Sequence, residues 1–136
     1  MLQMFVLALS LYNTWNRGVF LLCKITNLLI YRSQLMRGTL EGCILKILSK
    51  NTSYGYEIVT TLLGYGFKDI KEGTIYPLLV RLEKKGIITS EMQPSPLGPS
   101  RKYYSITPDG VEYLNEFKTN WKQISQSVNQ VFDTEV

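Results

Sequence analysis

The chain has 136 residues, 45% of them hydrophobic, which is enough for one domain with an ordinary core and too little for two. Its net charge of +4 suggests a nucleic-acid partner until it is divided: residues 1–32 hold three bases and no acid, while residues 33–136 hold 12 bases against 11 acids. There is no histidine, and Cys23 and Cys43 match no metal-ligand or redox spacing, so no metal or cofactor is expected and a reduced, cytoplasmic protein is the default.

Residues 1–32 consist of two apolar runs, 1–12 and 19–31, parted by Asn13-Thr14-Trp15-Asn16-Arg17-Gly18. Neither run reaches the ~18 to 20 unbroken apolar residues of a membrane span, and the second contains Lys24 and Asn27, so no stable span is expected. No basic stretch precedes the first run, which argues against a secretory signal. Three readings stay open: an interfacial anchor, an extra helix packed on the domain or on a dimer partner, and upstream sequence outside the native product. The last is favoured, because everything from Tyr31 onward reads as a complete domain. The extension is then non-native or without fixed structure, and the authentic start falls at a non-standard codon shortly before Ser33.

Over 34–49, Leu40, Cys43, Ile44, Ile47 and Leu48 recur at helical spacing with Glu41, Lys46 and Lys50 outside, which predicts a first helix carrying Cys43 as a core thiol. Asn51-Thr52-Ser53 ends it. Ser53 is expected to cap a second helix over 54–63 that buries Ile58, Val59 and Leu62 and stops at Gly64-Tyr65-Gly66. Tyr54 and Tyr56 read as packing residues in preference to phosphate contacts. Residues 67–71 connect to the next helix, with room for a short strand that pairs with the hairpin beyond, and they place Asp69 and Lys71 near the helix start.

That third helix, 73–86, buries Ile75, Leu78, Leu79 and Leu82 at i, i+3, i+4, i+7 and leaves Gly73, Tyr76, Pro77, Val80, Arg81 and Lys84 on the opposite side. Pro77 is tolerable only in the first turn, where its missing N–H has no partner to lose, and Gly86 is a natural stop. The β-branched and aromatic residues of 87–93 and 102–106 predict two strands, broken by the Pro/Gly-rich stretch 94–100. A helix with a free basic face followed by a hairpin with Arg101 and Lys102 at its base reads as the recognition helix and wing of a winged helix-turn-helix. The balance on that surface is favourable, with Arg81, Lys84, Lys85, Arg101 and Lys102 against Glu83 and Glu91.

Thr107-Pro108-Asp109-Gly110 is a helix start, with Thr as cap, Pro in the first turn and an acid at the positive end of the dipole. Behind it Leu114, Phe117, Trp121, Ile124, Val128 and Val131 follow at alternating spacings of three and four, a seam of heptad period. A seam longer than a small core can cover calls for a partner, and the same helix of a second subunit is the natural one. The expected class is mainly α (α+β): an extension over 1–32, a winged helix-turn-helix domain with a two-stranded wing over 33–106, and a C-terminal dimerisation helix over 107–136.

Arg37-Gly-Thr-Leu-Glu-Gly-Cys43, Tyr54-Gly-Tyr-Glu-Ile58, Glu72-Gly-Thr-Ile-Tyr-Pro-Leu-Leu79, Arg81-Leu-Glu-Lys-Lys-Gly86 and Arg101-Lys-Tyr-Tyr-Ser-Ile-Thr107 with Gly110 together resemble the PadR family of bacterial transcriptional regulators, in the family's order. The single terminal helix resembles its shorter subfamily. The resemblance implies a homodimeric repressor on a palindromic double-stranded DNA operator, in some relatives released by an aromatic small-molecule effector at the dimer interface. It carries reading roles to Thr74, Tyr76, Arg81, Arg101 and Lys102, and an effector-lining role to Trp121. Lys71 and Lys84 join the DNA-binding set from their position on the helix. The dimer interface is expected at Leu114, Phe117, Trp121, Ile124 and Val128. The extension 1–32 departs from the family's pattern. The alternative function is a winged-helix module that binds protein through the same face. An enzyme is not expected: no Gly-rich phosphate loop, paired carboxylates or cysteine-based site is present.

Overall fold

The structure, a computed structural model, describes residues 32–134, so the readings of the apolar extension lie outside the described residues. The chain divides into two compact units at Gly38/Thr39. Of the first, the described part is 32–38, the opening of helix α1, which spans 32–48. The second unit carries everything that follows: β1 (Ser53–Tyr54), α2 (Gly55–Gly64), α3 (Glu72–Lys84), β2 (Ile88–Ser95), β3 (Gly98–Ile106) and α4 (Pro108–Asp133). The architecture is mainly helical with a small antiparallel sheet, the winged-helix arrangement. Among the described residues no helix is long and apolar enough to cross a membrane.

The core is built from one face of each helix. Leu40, Ile44, Leu45 and Leu48 from α1 meet Ile58 and Leu62 of α2, Ile75, Leu79 and Leu82 of α3, and Tyr104 of β3, all nearly inaccessible to solvent. The α1 stripe is rotated from the predicted one: Leu45 is fully buried, whereas Cys43 and Ile47 lie half-buried on its shoulder. There they line a hollow of about 750 Å³ with Leu62, Tyr65 and Phe67. Cys43 is a free thiol, and its partial burial pushes its pKa up.

Three local expectations are corrected. Ser53 does not cap α2. It is a strand residue paired with Tyr104, and the capping position falls to Tyr54, whose backbone N–H donates to the Glu57 carboxylate at 3.4 Å. The third strand of the sheet is therefore β1, before α2, and not a segment within 67–71, which forms no strand. The hairpin is also longer than composition suggested, with only residues 96 and 97 in its turn. Pro94 fits because the ladder slips between Gln93 and Ser95, so the residue without an N–H occupies a bulge on an edge strand.

β3 lies at the centre of the sheet, in the order β1-β3-β2. Gly86 leaves α3 in the left-handed region (φ +72°), which aims the chain directly into β2 and so fixes the wing to the end of the helix. The start of α4 follows the sequence reading: the Thr107 hydroxyl accepts from the Gly110 N–H at 3.1 Å, with Pro108 in the first turn.

Candidate nucleic-acid interface

The third helix runs Glu72–Lys84 and presents the face the periodicity assigned to solvent. Gly73, Tyr76, Pro77, Val80, Arg81 and Lys84 are all exposed, while Ile75, Leu79 and Leu82 are buried and Leu78 is half-buried. Pro77 is the sixth residue of the helix and so lies inside it, beyond the first turn where the sequence reading placed it. Thr74 lies on the exposed side of the first turn, and Lys71 is the residue at the N-cap, in extended conformation and with no side-chain cap bond. A cation at the positive end of a helix adds to that field and makes the end attractive to an anion.

Tyr76 leans across the N-terminus of α2, so closely that a Cβ on Gly55 would lie 3.1 Å from its ring and hydroxyl. Facing it is the base of the wing. Tyr54, Tyr56, Tyr76, Met92, Arg101 and Lys102 line a cleft of about 550 Å³ between α3, the start of α2 and the hairpin. The two tyrosines read as packing residues have a second use here. The Tyr54 ring is stacked with Tyr56 (6.4 Å between centroids) and tilted against Tyr103 (5.4 Å), and the Arg101 guanidinium lies 4.6 Å over the Tyr54 ring. A cation held on an aromatic face is oriented without losing its charge. The alternation of Tyr54 and Tyr56 on either side of a glycine was the signal in the sequence, but their partner in β3 is about 50 residues away and cannot be read from spacing.

Not all the basic residues on this surface are uncommitted. Lys102 donates to the Glu83 carboxylate at 2.9 Å, and the Ser90 hydroxyl donates to the same group. These two bonds hold the Glu83 pKa below the ordinary carboxylate value, and the Lys102 pKa is raised by the reciprocal bond. Arg81 donates through Nε to Glu41 Oε1 at 2.7 Å and through its Nη2 to the same oxygen. The other Glu41 oxygen accepts from the Tyr113 hydroxyl at 3.4 Å. Glu41, expected on the outside of α1, is instead only 12% exposed at a joint of three helices. Among the described residues, Lys71, Lys84 and Lys85 form no ion pair.

The seam of α4 is split. Leu114 is closed into the core of its own chain (4% exposed), and Phe117 packs so tightly on Gly42 that a Cβ there would overlap its ring at 2.1 Å. Leu114 is thus spent within the subunit and not available to a partner, a correction to its assignment at the interface. Beyond them Trp121, Ile124, Val128 and Val131 are all exposed, at 45% or more.

The model of the transcriptional regulator PadR-like family matches residues 44–116 of the chain. A PadR-like transcriptional regulator from Bacillus cereus is 48% identical, with a TM-score of 0.68 over 75% of this chain and 99% of that one. A Streptococcus transcriptional regulator is 46% identical, with a TM-score of 0.66 over 74% and 98% of the two chains. An uncharacterized protein of Lysinibacillus sphaericus is 36% identical over 101 residues, 72% of this chain and 92% of its own.

Proposed function

The chain belongs to the PadR-like family of transcriptional regulators, which are not enzymes, and from that premise we propose that it is a cytoplasmic homodimeric repressor of a palindromic operator. The observation that supports this most is the exposed face of α3 meeting the base of the wing across one cleft, with Tyr76 on one side and Arg101 on the other. In this reading Thr74, Tyr76 and Arg81 face base edges in the major groove, Lys71 and Lys84 meet phosphates at the two ends of the helix, and Arg101 and Lys102 meet the flanking backbone. Two such heads are joined by the exposed part of the α4 seam. Trp121, half-exposed on that seam, lines the slot for an aromatic effector that releases the DNA.

Titration of duplexes selected by the protein from a random pool, at two salt concentrations, tests the proposal. Phosphate contacts make the logarithm of the affinity fall linearly with the logarithm of salt. Tyr76→Ala is expected to weaken the selected sequence by about 1 to 3 kcal/mol, and Lys84→Ala to weaken all sequences and reduce the salt slope by about 1. Salt-independent binding, or none, would favour a winged-helix module that binds protein through this face. The effector clause is checked separately: in a Trp15→Phe protein, aromatic compounds that quench Trp121 must also lower DNA affinity.

A further inference from the structure

Arg81 is a reading residue whose charge is already answered. Two of the five guanidinium donors go to one oxygen of Glu41, and the remainder lie on a side chain that is 53% exposed. Glu41 is itself enclosed, at 12% exposure, and its second oxygen takes the Tyr113 hydroxyl from the first half of α4. The carboxylate therefore sits where α1, α3 and α4 meet, and it fixes the plane of the guanidinium.

This bears on how Arg81 can act on DNA. A free surface arginine gives up rotamer entropy when it docks, and it displaces a counterion from the phosphate chain. An arginine held by a carboxylate has already lost much of that freedom, and the pair carries no net charge to displace a counterion. What it retains is a set of N–H groups of fixed direction, which suits recognition of a particular acceptor pattern. We propose that Glu41, braced by Tyr113, is the positioning residue for Arg81, presenting a neutralised and pre-aimed guanidinium that adds to sequence discrimination and not to salt-dependent affinity. The proposal rests on the reading of this face as a DNA interface.

Glu41→Gln removes the carboxylate charge and keeps the shape. On a duplex selected by the wild-type protein, and on single-base variants of it, the substitution should lower discrimination about tenfold, the order of one directed contact. Affinity for unselected duplex should rise, and the salt slope should steepen by about 0.9, the signature of one additional cation. In an Arg81→Ala background, Glu41→Gln should change neither quantity. Tyr113→Phe, which removes only the brace and leaves the carboxylate charge in place, should lower discrimination by less without steepening the salt slope, and it serves where Glu41→Gln does not fold. An unchanged salt slope and unchanged discrimination in a folded Glu41→Gln or Tyr113→Phe protein would overturn the proposal and leave Glu41 as an internal tie. Wild-type protein without salt-dependent DNA binding would instead defeat the DNA reading itself.

Discussion

Gly110→Ala probes how the last helix is fixed to the reading domain. A Cβ at this position would lie 2.1 Å from the Ile87 carbonyl oxygen and 2.7 Å from Cγ1 of Ile106, and the nearer obstacle is backbone that no rotamer change can move. The same carbonyl accepts from the Thr107 N–H at 3.1 Å and lies 2.9 Å from the Thr107 hydroxyl, which in turn caps Gly110. Making room for a methyl group therefore pushes the start of α4 away from Ile87, just beyond the end of α3. Helix propensity alone would favour alanine by about 1 kcal/mol. Overpacking costs about 1 to 3 kcal/mol, and weakening the Thr107 cap about 1 more. The cost exceeds the gain, so the variant is expected to be less stable by about 1 to 3 kcal/mol net, lowering the thermal midpoint by roughly 5 to 15 °C. Urea and thermal unfolding followed by circular dichroism measure this, with Thr107→Ala as a control that loses the cap without the clash. A Gly110→Ala protein as stable as the wild type would refute the reasoning, since propensity would then have won and the joint would be soft.

Two further outcomes are expected. Ile124→Asp replaces a side chain that is 58% exposed in the single chain, so the fold should survive, but an unpaired carboxylate in a closed seam costs several kcal/mol and the protein should sediment as a monomer; a stable dimer would contradict the interface. Glu83 has a folded-state pKa below its ordinary value, so its contribution is complete above the ordinary carboxylate range and is lost as pH falls through the depressed value. Protection of the Ser90 and Lys102 amides, with exchange corrected for its intrinsic pH dependence, should therefore fall on acidification in the wild type, and should be low and flat across that range in Glu83→Gln.

The fold was legible wherever a periodic pattern served a single purpose. The α3 face, the α4 cap and the wing were readable because Ile75, Leu79 and Leu82, then Thr107-Pro108, then the β-branched runs each answer one local demand. What was not legible depends on partners distant in the chain. Ser53 reads as a helix cap by local chemistry, and only pairing with Tyr104 makes it a strand residue. Leu45 is off the strongest apolar stripe and still fully buried, because α1 is covered on a broader front than its own period implies. Glu41 reads as a solvated charge until Arg81, 40 residues on, and Tyr113, 72 residues on, are brought to it.

These pairings change what the charge count on the reading surface means. The sequence sets five bases against two acids there, yet Lys102 is held by Glu83 and Arg81 by Glu41, an acid outside that count. The cations that can meet phosphates without first giving up an ion pair, as Lys102 must, are Lys71, Lys84, Lys85 and Arg101, the last already oriented on Tyr54. A single head releasing on the order of four counterions binds any duplex weakly at physiological salt. Two heads joined through α4 release about twice as many, and the second contact forms within one complex, which multiplies the affinities as long as the half-site spacing allows both to engage. In the proposed dimer, tight binding should thus depend on the α4 seam even though the seam lies outside the proposed reading surface. Loss of operator affinity in Ile124→Asp with an unaltered α3 face would be its direct expression.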